Sequence, residues 1–125
     1  MTEISDVIES IDKIVHEKAR LGIMMLLYPD NRADFVYLKG ALALTDGNVG
    51  THLRVLEDAN YIKVEKKYKG RKPQTIYQLT EQGKRAYDQY TEVLNDLISI
   101  KREKDYLSAD FKKALLEKGK PKEVV

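Results

Sequence analysis

TDGNVGTHLRVLEDANYIKVEKKYKGRKPQTIYQL, residues 45–79, contains two different periodicities placed end to end. In its first half Val49, Leu53 and Leu56 fall on one side of a helical projection with His52 at the edge, while Gly47, Gly50, Thr51, Arg54 and Asp58 fall on the other. One side can pack and the other can face a partner. Thr45 or Asp46 supplies the oxygen that caps such a helix. The period then drops to two. Ile62 and Val64 alternate with Lys63 and Glu65, Tyr68-Lys69-Gly70-Arg71-Lys72-Pro73 makes a turn, and Ile76-Tyr77-Gln78-Leu79 returns as a second strand. A short exposed helix is therefore followed by a hairpin with a cationic tip.

Upstream, Ile4, Val7, Ile8, Ile11, Ile14 and Val15 have the spacing of an amphipathic helix, with Thr2 or Ser5 as its cap and a break near His16 to Lys18. Residues 19–28 are apolar nearly all round and close at Pro29-Asp30-Asn31, so they are expected to form a buried central helix. Asp34 can cap a third helix carrying Phe35, Val36, Leu38 and Leu42, which ends before Thr45. A helix, a turn and a second helix follow one another directly. Downstream, Thr80-Glu81-Gln82 starts a long helix reaching about Tyr106. Its stripe of Tyr87, Tyr90, Val93, Leu94, Leu97, Ile98 and Ile100 is wider than one neighbour covers, so two partners are implied, and a second subunit is one candidate. Ser108 or Asp110 can begin a last short helix with Phe111, Ala114, Leu115 and Leu116, stopped by Gly119 and Pro121 ahead of a frayed tail.

At 125 residues, 42% of them hydrophobic, the chain is expected to be one domain with a real core. No run approaches the roughly 18 apolar residues of a membrane span, and MTEISDVIES is acidic where a signal peptide would be basic, so a cytoplasmic location is expected. The absence of cysteine excludes disulfides, thiolate metal sites and cysteine nucleophiles. It also suits a hot-living source, given the many Lys and Glu. The net charge of +2 conceals a segregation. Between Tyr61 and Tyr77, six Lys and Arg stand against Glu65 alone, giving +5, whereas the first twenty residues carry −2. Lysines often do no more than solvate a hairpin, but adjacency to the exposed helix favours a polyanion-tracking element.

Catalytic chemistry has little to work with. His16 and His52 are too few and too far apart for a zinc spacing. Gly47-Asn48-Val49-Gly50 lacks both the preceding strand and the Lys-Ser/Thr of a phosphate-cradling loop. The carboxylates are spaced as solvated helix faces, so neither an enzyme nor a cofactor or metal site is expected. His52, at the edge of a packing face, reads as a hydrogen-bonding core residue. Arg54 projects opposite Leu53 and Leu56, where its guanidinium can donate two bonds to guanine. Met24 and Met25 read as core, and Tyr87 and Tyr90 as core or interface aromatics, or as walls of a ligand crevice.

Taken as a set, TDGNVGTHLRVLEDANYI, KVEKKYKGRKPQTIYQLT and EQGKRAYDQY resemble the winged helix-turn-helix transcriptional regulators of the MarR and ArsR kind. The nearest pattern is that of a small prokaryotic and archaeal family, matched here by Leu44-Thr45, Gly47-Asn48, His52-Leu53, Leu56-Glu57, the basic wing, and Leu79-Thr80 with Gly83. The likeness covers roughly Ala19 to Leu97. It implies an α+β, mostly α fold: a winged helix-turn-helix with a two-stranded wing and long terminal dimerisation helices. Residues 1–18 would be an N-terminal dimerisation helix, 19–79 the DNA-binding core, 80–118 C-terminal dimerisation helices and 119–125 a frayed tail.

The resemblance further implies a homodimer that binds double-stranded DNA sequence-specifically and regulates transcription, as a repressor, with no small-molecule effector assigned. Asn48, Thr51, Arg54 and Val55 would face the major groove. Lys67, Lys69, Arg71 and Lys72 of the wing would meet phosphate or the minor groove. Ile4, Ile8 and Ile11 with Tyr90, Leu94, Leu97 and Ile98 would form the dimer interface. The chain departs from the pattern at Asn60, where the family often has glycine, and at Gly50 inside the reading helix. Asn tolerates the left-handed conformation, so the helix stop survives. Gly50 costs roughly 1 kcal/mol relative to Ala, and it means either close approach to DNA or a helix that reads few bases. The rival readings are a winged-helix protein-interaction adaptor and a nonspecific architectural DNA-binding protein.

Overall fold

The apolar side of the quoted helix is where the core forms. The structure, a computed structural model, describes residues 3–103 and 116–117. The chain runs α1 (Ile4–Glu9), α2 (Lys18–Leu27), β1 (Ala33–Asp34), α3 (Phe35–Leu42), α4 (Asp46–Asp58), β2 (Ile62–Lys69), β3 (Lys72–Leu79) and α5 (Glu81–Glu103). Val49, Leu53 and Leu56 of α4 are buried against Ile23, Met24 and Leu27 of α2, Leu38 of α3, and Ile62 and Leu79 of the sheet. This is the mostly helical winged-helix fold that the sequence leads one to expect. Among the described residues no helix is long and apolar enough to cross a membrane.

The first helix is shorter than its apolar period. It stops at Glu9, where the Ser10 hydroxyl donates to the Val7 carbonyl (2.6 Å). Asp12 Oδ1 then accepts the backbone N–H groups of Ile14 (2.8 Å) and Val15 (3.2 Å). This side-chain turn competes with helical bonding, so Ile11, Ile14 and Val15 reach the core from an irregular segment. Nor does Ser5 cap the helix: Glu3 holds the N-cap position without a side-chain bond, and Thr2 lies outside the described residues. Glu17 caps α2 by accepting from the Arg20 N–H (2.9 Å). That helix is buried along one side, but Met25 is 56% exposed and departs from the expected all-round core.

Asp34 caps α3 as expected, its Oδ1 accepting from Tyr37 N–H (2.7 Å). Of the expected apolar positions on α3, Leu38 is buried whereas Val36 faces solvent. The turn into α4 passes through Ala43 at φ 52°, and Thr45 Oγ1 caps α4 through Asn48 N–H (3.2 Å). Asn60, at φ 61°, ends it in the left-handed conformation that asparagine tolerates.

The hairpin has longer strands and a tighter turn than the alternation suggests. Pairing runs from Ile62↔Leu79 to Lys69↔Lys72, leaving Gly70-Arg71 as a two-residue loop with Gly70 at φ +67°. Glycine at the first of two loop positions meets the positive φ that such hairpin turns demand. A further strand, β1, has no counterpart in the sequence reading: Ala33 pairs with Tyr77 and Asp34 with Ile76, so the sheet is three-stranded in the order β1-β3-β2. Two residues are too few to show a period. Beyond Glu103 the expected end of the long helix lies outside the described residues, as do the tail and the last short helix, save that Leu116 and Glu117 are helical.

Candidate nucleic-acid interface

Capping by Thr45 and burial of Val49, Leu53 and Leu56 fix which side of α4 faces out. Asn48, Thr51 and Arg54 are exposed on that side, and Val55 is half-buried at its flank. The Thr51 hydroxyl donates back to the Gly47 carbonyl (2.9 Å), so its oxygen faces outward chiefly as an acceptor. A Cβ added at Gly47 or Gly50 would meet no atom within 4 Å. Packing within the protomer therefore requires neither glycine, and both leave the helix surface low.

Cross-strand partners share a face of a ribbon, so the register sorts the wing. Ile62, Val64, Lys66 and Tyr68 lie opposite Leu79, Tyr77, Thr75 and Pro73 on the side packed against the helices. Lys63, Glu65, Lys67 and Lys69 lie opposite Gln78, Ile76, Gln74 and Lys72 on the outer side. On that outer side Glu65 accepts from Arg32 (2.5 Å) and pairs with Lys67 (3.5 Å). Of the four nominated wing cations, Lys67 thus already has a carboxylate beside it. Lys69 and Lys72 face each other at the tip with Arg71 in the loop between them.

Helix α4 is held by polar contacts absent from the sequence reading. Arg20 Nη1 lies 3.1 Å from His52 Nδ1, while its Nε donates to the Ile14 carbonyl (2.7 Å). Glu17 Oε2 is 3.5 Å from the same histidine nitrogen. Burial acts to raise the Glu17 carboxyl pKa, yet the N–H groups of Arg20 and Ala19, with the charges of His52 and Arg20, hold it below the usual range. His52 is thus a hydrogen-bonding residue at the edge of the core, as its position on the helix implied. At the far end of α4, the Tyr61 hydroxyl donates to Asp12 Oδ2. Burial, followed by that hydrogen bond, pushes the Tyr61 pKa to about 12. An arginine inside the otherwise apolar 19–28 stretch was the one available hint of the Arg20–His52 contact.

The apolar residues nominated for dimerisation divide by burial. Ile4, Ile8 and Ile98 are 40%, 51% and 50% exposed, and Ile11, Leu94 and Leu97 are half-buried. Of the two readings the sequence allows for Tyr90, core and interface, the protomer fits the first: it is 4% exposed, its hydroxyl lies 2.7 Å from His16 Nδ1, and it packs in the protomer's own core. Among the described residues no cluster of His, Asp and Glu is arranged to hold a metal ion.

Comparison with known proteins agrees with this geometry. Residues 19–98 match the winged helix DNA-binding domain family. An uncharacterized protein of Methanocaldococcus jannaschii is 36% identical over 78 residues, covering 62% of this chain and 85% of that protein. A transcriptional regulator homologue from Pyrococcus horikoshii OT3 superposes with a TM-score of 0.69 at 32% identity, over 79% of this chain and 96% of that one. A protein assigned to the MarR family of transcriptional regulators, from Enterococcus faecalis V583, shares the fold (TM-score 0.64) at 21% identity, over 86% of this chain and 96% of that one. With α4 capped and one side of it exposed ahead of a cationic hairpin, the chain belongs to the winged helix DNA-binding family of transcriptional regulators.

Proposed function

We propose that the protein is a cytoplasmic, homodimeric, sequence-specific repressor that binds double-stranded DNA through α4 and the wing. One observation carries this reading: α4, which leaves Asn48, Thr51 and Arg54 exposed, packs against β2 of the hairpin that carries +5. Asn48, Thr51 and Arg54 present base-reading groups, with Val55 at the flank able to meet a thymine methyl. Lys69, Arg71 and Lys72, with Lys67 behind them, serve the phosphates and fix register without identifying bases. The open backbone at Gly47 and Gly50 favours close approach over a helix that reads little.

Dimerisation draws its support from apolar surface left on α1 and α5, chiefly Ile4, Ile8, Ile98 and the half-buried Ile11, Leu94 and Leu97. Residues 1–18 and 80–118 then serve assembly and 19–79 serves DNA. A two-fold dimer sets its reading helices about 34 Å apart, one turn of the duplex. Repression follows from blocking promoter access, as the resemblance implies. A footprint on the DNA flanking the protein's own gene, read together with the mass from light scattering, tests the whole. An inverted repeat protected by a dimer supports it; a monomer, or a footprint without a repeat, overturns it.

A further inference from the structure

The wing extends well past the core that supports it. The hydrophobic core reaches the wing as far as Val64↔Tyr77, β1 and the bond from Gln74 to Asp34 (3.0 Å) support it as far as Lys67↔Gln74, and Tyr68↔Pro73 and Lys69↔Lys72 lie beyond. At the rise of a β-strand these two pairs overhang by about 7 Å. Along it, on the face turned toward the helices, stands Tyr68, 77% exposed and directly opposite Pro73. So large an apolar side chain gains little from the protomer at that exposure. Beside it Lys69 faces Lys72, and like charges directly opposite destabilise a strand pair, a repulsion that the Asp34 carboxylate near Lys69 offsets only in part. A polyanion relieves that repulsion, yet phosphate contacts alone give no use for an aromatic ring.

We propose that Tyr68, backed by Pro73, is a DNA contact in its own right: an apolar wedge seated in the minor groove, with Lys69, Arg71 and Lys72 on the phosphates at its rim. The inference rests on the DNA-binding reading above and names a residue that reading does not use. The minor groove is about 6 Å wide, which admits the edge of one ring but not the ribbon behind it. Apolar side chains inserted there pack on the sugar walls and partly unstack a base step. The contact would favour deformable A·T-rich steps without a hydrogen bond to any base.

The test is anisotropy titration of a fluorescein-labelled A·T-rich duplex with the full chain, comparing the wild type with Tyr68→Ala and Tyr68→Phe. Tyr68→Ala should melt like the wild type, because the ring is exposed, and bind about tenfold more weakly. Its slope of log affinity against log salt should match the wild type, since no phosphate contact is removed. Tyr68→Phe should bind like the wild type, and netropsin, which occupies the minor groove, should erase the difference between wild type and Tyr68→Ala. Wild-type affinity in Tyr68→Ala would overturn the wedge. So would a loss of equal size in Tyr68→Phe, which would make the hydroxyl a phosphate donor, or a difference that survives netropsin. A change in oligomer mass in Tyr68→Ala without DNA would also overturn it, assigning the ring to a contact between copies. If the wild type itself fails to bind at low salt, it is the DNA-binding reading that has failed.

Discussion

Gly83 lies so close to Tyr61 that a Cβ placed on it would sit 2.8 Å from the Tyr61 carbonyl carbon, and nearer still to its oxygen. The same carbonyl accepts the Thr80 N–H (3.0 Å), and Thr80 Oγ1 caps α5 through the Gly83 N–H (2.9 Å). The Leu-Thr-x-x-Gly signature is thus a physical device: threonine starts the helix, and glycine lets its first turn rest on the backbone that follows α4.

Gly83→Ala should cost about 3 kcal/mol, since the obstacle is backbone that cannot rotate away. Thermal melting should register a drop of about 10 °C. A variant that melts like the wild type would show that this backbone contact can open without cost.

Ala43 has the opposite expectation. It holds φ 52° in the turn between α3 and α4, where a Cβ is strained. Ala43→Gly should stabilise the fold by about 0.5–1 kcal/mol, measured by urea unfolding, the gain being smaller than the strain because glycine also loses more entropy. DNA affinity should not change.

The Tyr61–Asp12 bond should appear in the alkaline limb of stability. Burial and the carboxylate raise the folded-state pKa to about 12 from the ordinary tyrosine value of 10.0, so the folded chain keeps a proton that the unfolded chain releases. The resulting stabilisation is complete below pH 10 and is lost as pH rises toward 12. It should amount to about 1–2 kcal/mol after solvent screening. Tyr28, Tyr77 and Tyr90 are also raised, so the measurement is the difference between wild type and Tyr61→Phe. Equal slopes in the two proteins between pH 10 and 12 would remove the claim.

On DNA, Arg54→Ala should cost roughly 1–3 kcal/mol on the best site and relax preference at one base pair, with little change on random duplex. Replacing Lys69, Arg71 and Lys72 together should weaken all duplexes alike and flatten a salt slope expected near about −5 for a dimer. Equal losses from Arg54→Ala on specific and random DNA would reassign it to the phosphates.

For assembly, Ile8→Glu with Ile98→Glu is the discriminating pair, because both side chains are half exposed in the protomer and can carry charge without unfolding it. Light scattering should give a folded monomer with much weaker operator binding, since attachment at two points is lost. A dimer of undiminished affinity would place the interface elsewhere.

What the chain determines by itself is what lies within a few residues of its cause. Val49, Leu53 and Leu56 declare a helix side because successive turns stack them on one face, Thr45 and Asp34 cap the helices that start just after them, and the hairpin's cations are neighbours in sequence. The tertiary structure alone decided the rest. Strand β1 exists only because β3 lies beside it, and Asp12, whose turn over Ile14 and Val15 is local, is also bonded by the Tyr61 hydroxyl 49 positions away. Tyr90 carries the same stripe as Leu97, yet it turns inward to His16, 74 positions away. Periodicity says that a side chain is apolar enough to be covered. Which surface covers it depends on long-range contacts that no local pattern encodes.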